Sequence, residues 1–217
     1  MDRSDIGLVI PAYNEAATIK EVVVAAADYG TPIVVNDCSS DDTAALAEEA
    51  GAVVVTHKTN RGYDGALNSG FIKADELGCQ YIVTLDADGQ HNPKLIARFI
   101  EKLDGGADVV LGVRSNKPRI SEHAFAVLTR ARFGIKDPLC GMKGYKAGVY
   151  HALGHFDTYR SIGTELMLFA AKRDYNIVQV PFKVGTRQDA PRFGSMVRAN
   201  IKILRAMVKS ARYTFLL

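Results

Sequence analysis

Residues 81–91 read YIVTLDADGQH, a short β-branched run that leads directly into two carboxylates separated by one residue. Similar runs occur before and after it, and the segments between them have helical spacing. Strands are predicted at 6–10, 33–36, 52–57, 81–86, 108–113 and 177–181. Helices are predicted at 15–29, 41–50, 62–77, 93–103, 119–132, 163–174 and 195–212. Turns are predicted at 136–145. The alternation predicts an α/β fold, in which a mostly parallel sheet carries helices on both faces.

The bulk composition is that of one globular domain. The chain has 217 residues, of which 47% are hydrophobic and 24% are charged, and this length is ample for a continuous core. A formal net charge of +3 gives no support to a nucleic-acid partner. Three widely spaced cysteines without a C-x-x-C pair favour a reducing compartment. We predict a main domain at residues 1–194 and a basic amphipathic helix at 195–217.

Polar residues cluster where the predicted strands end, at the edge that binds ligands in parallel α/β sheets. Asp86 and Asp88 can converge on a hard divalent cation such as Mg²⁺ or Mn²⁺, and Gln90 can add a carbonyl oxygen. Such an ion would neutralise charge that builds up on a leaving diphosphate. Neither a P-loop nor a G-x-G-x-x-G motif follows the first strand, so metal and side chains would have to hold the diphosphate.

The ends of the first two strands supply candidate contacts to a nucleotide. Tyr13 can stack on a base, and Glu15 can accept hydrogen bonds from a ribose or a base. Asn14 and Glu15 suit the start of a helix equally well. Asp37 can bond to an imide nitrogen of a pyrimidine or to a ribose hydroxyl.

Six sequence blocks, taken in order and spacing, resemble glycosyltransferase family 2, whose members have the GT-A fold. The blocks are IPAYNE (10–15), VNDCSSDDT (35–43), NRGYDGALNSG (60–70), LDADGQHNP (85–93), DPLCGMKGY (137–145) and GTELML (163–168). Within that family the DADGQH string and the later blocks are most similar to the dolichyl-phosphate mannose synthase-like group of polyprenyl-phosphate glycosyltransferases. The resemblance implies a metal-dependent, inverting transfer of a sugar from a UDP- or GDP-sugar to a polyprenyl phosphate.

The same resemblance implies roles for individual positions. The residues that would hold the nucleotide are Pro11, Ala12, Tyr13, Glu15, Asp37, Asp86, Ala87 and one of Arg187 and Arg192. The metal and diphosphate site would consist of Asp86, Asp88 and Gln90. The catalytic residues would be Asp88, Arg114, Arg119 and Glu165. The acceptor phosphate would be bound by Arg114, Arg119, Ser121 and Arg130.

Two other functions remain open from the sequence. A saccharide hydroxyl as acceptor would need a general base, whereas a phosphate is already an anion and needs cations to hold it. Glu165 is the candidate base, although an acid at a helix N-terminus also has an ordinary structural explanation. Alternatively, the chain is a non-catalytic nucleotide-sugar-binding subunit of a membrane partner.

The C-terminal helix is predicted to be amphipathic and basic. Its apolar positions at helical spacing are Val197, Ile201, Leu204, Val208 and Ala211. Its basic positions, each one residue further on, are Arg198, Lys202, Arg205, Lys209 and Arg212. This pattern favours an anionic membrane surface and a cytoplasmic protein at the inner face of the cytoplasmic membrane. The alternatives are packing on the sheet, a membrane-protein partner and a homo-oligomer.

Overall fold

A computed structural model describes residues 2–89, 94–115, 119–183 and 196–210. They form one seven-stranded sheet with the order β3-β2-β1-β4-β6-β5-β7. The strands are β1 (Ile6–Ala12), β2 (Thr31–Asn36), β3 (Val53–Thr56), β4 (Tyr81–Thr84), β5 (Val109–Arg114), β6 (Lys143–Lys146) and β7 (Ile177–Phe182). β6 is antiparallel to both neighbours and the other pairs are parallel. This confirms the predicted mostly parallel sheet.

Helices cover both faces of the sheet, as predicted. The helices are α1 (Ile19–Ala27), α2 (Thr43–Glu49), α3 (Gly62–Glu76), α4 (Lys94–Asp104), α5 (Ile120–Phe133), α6 (Ala147–Leu153), α7 (Glu165–Lys172) and α8 (Met196–Lys209). Helices α1, α2 and α4 contribute to one hydrophobic cluster, and α3, α6 and α7 contribute to the other. α3 lies directly on β1, because a Cβ atom on Gly70 would come within 2.2 Å of Val9 Cγ1.

The predicted turn at 136–145 is wrong at its end, where β6 begins. Lys143–Lys146 pairs with β4 on one side and β5 on the other. Its four residues, KGYK, have polar ends and little apolar pattern, so the strand depends on pairing between two neighbours rather than on local preference. The helix that follows, α6, was likewise not predicted.

The C-terminal helix forms, and it packs through residues outside the predicted apolar stripe. Ile203 and Ala206 are buried, whereas the predicted apolar positions Ile201, Leu204 and Val208 are exposed. The boundary predicted at 194–195 lies outside the described residues. Within the described part of the chain, no helix has the length and apolar character needed to cross a bilayer.

Candidate active site

The two carboxylates predicted to bind a metal lie directly after β4, at the carboxyl edge of the sheet. The Leu85 N–H donates to the Val9 carbonyl at 3.0 Å, so pairing with β1 continues almost to the first carboxylate. The Ala87 carbonyl, between the two, accepts a hydrogen bond from the Thr18 hydroxyl at 2.7 Å. Backbone contacts therefore fix the segment, with Asp88 only 8% exposed.

The turn that leads into β6 lies against the first carboxylate. The Thr84 hydroxyl donates to the Gly141 carbonyl at 2.6 Å and fixes this turn. A Cβ atom built on Gly141 would lie 2.5 and 2.4 Å from the Oδ1 and Oδ2 atoms of Asp86. The Asp86 carboxylate therefore packs directly against the backbone at residue 141, and any side chain larger than that of glycine would collide with it. We call this contact the Gly141 seat of Asp86.

The residues predicted to hold the nucleotide after β1 occupy two environments. Pro11 and Ala12 end the strand, and Ala12 is buried. Tyr13 follows with 44% of its surface exposed, so its ring is accessible at the carboxyl edge. The following Glu15 is buried.

The loop after β1 is fixed to the loop after β2. The Asn14 N–H donates to the Ser39 hydroxyl at 2.9 Å, and the Glu15 N–H donates to the Thr43 hydroxyl at 2.7 Å. Asn14 has a φ of 54°, in the left-handed region that asparagine tolerates. α1 begins at Ile19, so the helix start predicted at Glu15 is wrong. Glu15 lies instead in a turn whose geometry depends on β2.

Asp37, at the end of β2, is buried and its carboxylate has three close partners. Its Oδ1 atom lies 2.6 Å from His57 Nδ1 and accepts from the Arg61 N–H at 2.8 Å. Its Oδ2 atom accepts from the Gly62 N–H at 2.7 Å. These contacts stabilise the N-terminus of α3, where N–H groups lack helical partners. Asp37 therefore joins β2 to the loop after β3, and its contact with a base or ribose remains a prediction.

Arg114 and Arg119, predicted to be catalytic, belong to a cluster with two buried acids. The Arg114 guanidinium donates to Asp137 at 2.8 and 2.9 Å and to Glu122 at 2.9 Å. Arg119 donates to the other oxygen of Glu122 at 2.7 Å. Burial alone would lower the pKa of Arg114, but its hydrogen bond to Asp137 and the charge of that acid hold the pKa above its ordinary value. Both side chains are therefore fixed by these acids, and Arg114 stays charged.

The other two residues predicted to bind the acceptor lie on α5. Ser121 is 5% exposed, and its hydroxyl donates to the Asn200 side chain of α8. Arg130 is exposed towards the end of α5, about 16 Å along the helix axis from Arg119. The structure therefore does not bring Arg130 to the cluster around Arg114.

An open cleft of about 600 Å³ lies beside this cluster, at the carboxyl ends of β5 and β7 and the beginning of α4. Its apolar lining consists of Leu95, Val113, Pro181 and Phe182. Its cationic lining consists of Lys94, Arg98, Arg114 and Lys183. Because β5 lies two strands from β4, the cleft is about 10 Å from the carboxylate pair along the same edge. Such a lining can hold an anionic group that carries an apolar chain.

A buried network at this edge was missed by the sequence reasoning. The Lys143 ammonium donates to the Gly163 carbonyl at 2.5 Å, and Asp64 accepts from the Gly163 N–H at 2.6 Å. The contacts hold a loop in which Arg160 and Ile162 have φ values of 58° and 59°. Such values are uncommon for residues with a Cβ atom, above all a β-branched one, and persist only where neighbours impose them. The sequence signal that could have indicated this network is Lys143, a charged residue within the otherwise apolar and glycine-rich segment CGMKGY (140–145).

Burial changes the acidity of both charged groups in this network. It lowers the pKa of Lys143 to about 8. Burial, assisted by the charge of Asp157, raises the pKa of Asp64 to about 6. The network is thus sensitive to pH in the range where most proteins are handled.

We expect stability to depend on pH through Asp64. Its folded-state pKa of about 6 exceeds the ordinary value of about 3.9, so near pH 5 the folded protein holds a proton that the unfolded chain has released. Proton binding at Asp64 therefore stabilises the folded protein by up to about 3 kcal/mol. This stabilisation is complete below about pH 4 and is lost as the pH rises through 6, so the free energy of unfolding falls over that range. The Asp64→Asn variant lacks this titration. Urea unfolding of both proteins from pH 4 to 7 measures the difference, and a difference that does not vary with pH would contradict the assignment.

Glu165, the candidate general base, is buried at the N-terminus of α7. Its Oε2 atom accepts hydrogen bonds from the Thr158 N–H at 2.6 Å and the Thr158 hydroxyl at 2.9 Å. With 1% exposure it cannot reach an acceptor hydroxyl unless the loop before α7 rearranges. The structure favours the helix N-terminus explanation of this acid.

Three predicted site residues lie outside the described residues, namely Gln90, Arg187 and Arg192. Within the described ranges, no group of three or more His, Cys, Asp and Glu side chains is arranged to hold a metal. Two carboxylates alone fit an ion that takes its other ligands from substrate phosphates and water, as Mg²⁺ commonly does. The carboxylate oxygens of Asp86 and Asp88 are the donor type that such an ion prefers, and the contact with Gly141 fixes the position of Asp86.

The known proteins that this chain resembles in sequence and in fold are glycosyltransferases. The sequence profile described as Glycosyl transferase family 2 matches residues 8–155. A UDP-N-acetylglucosamine–dolichyl-phosphate N-acetylglucosaminyltransferase of Methanococcus voltae is 28% identical, over 91% of this chain and 92% of that protein. A polyprenol monophosphomannose synthase of Mycolicibacterium smegmatis is 28% identical, over 95% and 85%. The glucosyl-3-phosphoglycerate synthase of Mycobacterium tuberculosis, solved with Mg²⁺ and UDP, has the same fold, with a TM-score of 0.73 at 23% identity over 93% of this chain and 78% of that one.

Proposed function

This chain belongs to glycosyltransferase family 2 and is a glycosyltransferase, and we propose that it transfers the sugar of a UDP- or GDP-sugar to a polyprenyl phosphate. The observation that carries the acceptor assignment is the cleft beside Arg114, whose lining combines four cations with apolar side chains. Relatives named for dolichyl-phosphate and polyprenol acceptors support it.

The donor is held at the ends of β1, β2 and β4. Tyr13 is exposed for stacking on the base, and Pro11, Ala12, Glu15, Asp37 and Ala87 shape the nucleotide site. Asp86 and Asp88, together with Gln90, would hold Mg²⁺ or Mn²⁺, and such an ion would supply positive charge to offset that of the leaving diphosphate. The structural relative solved with Mg²⁺ and UDP supports this assignment. Either Arg187 or Arg192 completes the diphosphate site.

The acceptor phosphate binds beside Arg114. Two of its guanidinium nitrogens, Nε and Nη2, are occupied by Asp137 and Glu122. The acids therefore fix the orientation of the guanidinium. Among the residues that the structure describes, Nη1 has no hydrogen-bond partner, and we assign it to a ligand in the cleft. Glu122 accepts hydrogen bonds from both Arg114 and Arg119, so it orients the two guanidinium groups together. Ser121 lies next to Glu122 in the sequence.

The reaction is a single displacement. An oxygen of the acceptor phosphate attacks the anomeric carbon, the bond from that carbon to the diphosphate oxygen breaks, and the nucleoside diphosphate leaves with the electron pair. Attack from the opposite side inverts the anomeric configuration. No general base is required because the attacking group is already an anion, which agrees with the burial of Glu165.

The proposed site of action is the cytoplasmic face of the cytoplasmic membrane. Cys38, Cys79 and Cys140 are all free thiols, as expected in a reducing compartment. The polyprenyl chain of the acceptor would be held in the bilayer, so the enzyme would have to work at its surface.

The experiment is a transfer assay with paired acceptors. The protein, Mn²⁺ and radiolabelled UDP-glucose, UDP-N-acetylglucosamine or GDP-mannose are incubated with a polyprenyl phosphate, with the corresponding polyprenol or with a saccharide. We expect labelled lipid from one of the sugar nucleotides with the phosphate only. Transfer to the polyprenol, or to a saccharide but to neither lipid, would overturn the acceptor assignment.

We expect Gly141→Ala to displace the Asp86 carboxylate from its seat and to weaken Mn²⁺-dependent nucleotide binding at least about tenfold. Isothermal titration with UDP and GDP measures this. The matched control is Gly148→Ala in α6, where a Cβ atom would meet nothing within 4 Å. Equal affinities of the two variants would show that the seat has no role in metal binding.

A further inference from the structure

Large apolar side chains are exposed mainly on two helices. Nine such side chains are exposed among the described residues, and five of them lie on α5 and α8. They are Ile120 (86%), Val127 (69%), Ile201 (43%), Leu204 (44%) and Val208 (70%). Single exposed apolar residues are ordinary, but a concentration on adjacent elements marks an interaction surface.

The two helices pack against each other, so their exposed side chains lie on adjacent elements of the fold. α5 contacts α8, and the Ser121 hydroxyl donates to the Asn200 side chain across the contact. On α5 the exposed stripe follows the spacing 120, 124, 127, 131, and on α8 it follows 201, 204, 208. Both spacings place the side chains on one side of a helix. We call these seven positions the α5–α8 face.

The charge around the α5–α8 face is positive. The exposed cations on the two helices are Arg130, Arg132, Lys202, Arg205 and Lys209. α8 contains no acidic residue. The acid of α5, Glu122, is buried and paired with Arg114 and Arg119. No exposed carboxylate from either helix therefore offsets the cations.

We propose that the α5–α8 face docks on an anionic lipid surface, with its apolar stripes at the acyl-chain boundary and its cations among the headgroups. Apolar stripes with basic edges have this chemistry. A second copy of the chain fits worse, because a symmetric contact of this face with itself would place its cations close to their own copies.

The proposed acceptor site contacts the buried side of α5. Glu122 of α5 bonds to Arg114, and Arg114 lines the cleft proposed for the acceptor phosphate. The acceptor site is thus in contact with a helix that carries part of the α5–α8 face. The reason for docking rests on the proposed function, whereas the evidence for the surface is the exposure and charge of its side chains.

Vesicle co-sedimentation tests the proposal. The Val127→Asp/Val208→Asp variant places two acids in the α5–α8 face. The matched control, Val24→Asp/Ile72→Asp, changes side chains with 57% and 51% exposure on α1 and α3. We expect the wild type and the control to bind vesicles of equal parts phosphatidylcholine and phosphatidylglycerol, and to bind pure phosphatidylcholine more weakly. The test variant should bind the mixed vesicles at least about tenfold more weakly.

The proposal would be overturned by no vesicle binding by the wild type, by equal losses in the two variants, or by a dimer in light scattering that the test variant abolishes. Circular dichroism checks that both variants are folded. Transfer to a short, water-soluble prenyl phosphate separates docking from the proposed function, because the test variant should keep this activity while losing activity on vesicle-embedded acceptor. Loss on both acceptors would mean that the face serves the catalytic site itself, and would also overturn docking as its role.

Discussion

Asp88→Asn is expected to lower the rate of sugar transfer at least about a thousandfold. The substitution keeps the shape of a side chain that is only 8% exposed, but it removes one of the two negative charges proposed to hold the divalent ion. Metal stabilisation of a leaving diphosphate is worth several kcal/mol, and each 1.4 kcal/mol is about a factor of ten in rate. Initial rates with saturating sugar nucleotide and Mn²⁺ measure the effect.

The control for this variant is Asp28→Asn, an exposed acid at the end of α1. It changes the net charge equally and should retain full activity. Thermal unfolding of both variants separates a catalytic loss from a loss of structure. If Asp88→Asn retained more than about a tenth of the wild-type rate, the metal role of this carboxylate would be untenable.

Asp137→Asn is expected to lower the free energy of unfolding by about 3 kcal/mol. Asp137 is 1% exposed and accepts two hydrogen bonds from the Arg114 guanidinium and one from its backbone N–H. Removing one partner of a buried ion pair leaves a charge without compensation, which is far more costly than loss of an exposed pair. Urea unfolding followed by circular dichroism measures the change.

A surface pair supplies the comparison for Asp137. Asp108 pairs with Lys146 at 3.0 Å, and their side chains are 29% and 33% exposed. Asp108→Asn should therefore cost less than about 1 kcal/mol. Similar losses for the two variants would show that the cluster around Arg114 is solvated and would remove the basis for its proposed orienting role.

The α/β framework was predictable because most of the strands are short apolar runs followed by a segment with helical spacing. The position of Asp86 and Asp88 followed from the same pattern, since a parallel strand that ends in a polar segment must present it at the carboxyl edge. β6 was not predictable in this way. Its four residues carry no strand pattern, and the antiparallel pairing with β4 and β5 comes from chain segments far away in sequence.

Which face of a helix is buried also depends on distant contacts. Among the described side chains of α8, the predicted apolar positions Ile201, Leu204 and Val208 are exposed, and the helix packs through Ile203 and Ala206. An isolated helical pattern favours burial of its apolar side, and only the neighbouring surface decides whether another side is buried instead.

The partners of buried charges were likewise hidden in the sequence. Asp37 was interpreted as a nucleotide contact, and its bonds to His57 and the start of α3 join segments that lie 20 to 25 residues apart. Lys143 and Asp64 meet at Gly163, far from both in sequence. Residue types suggest that such groups need partners, but they do not identify them.

The central claim is that the carboxylate pair after β4 binds a sugar nucleotide through a divalent ion, and isothermal titration tests it most directly. The wild-type protein is titrated with UDP and with GDP, first with Mn²⁺ and then with a chelator. We predict binding of one of the two nucleotides with Mn²⁺ and loss of that binding without it, which would also identify the base. Binding that is unchanged by the chelator, or no binding of either nucleotide, would contradict the claim.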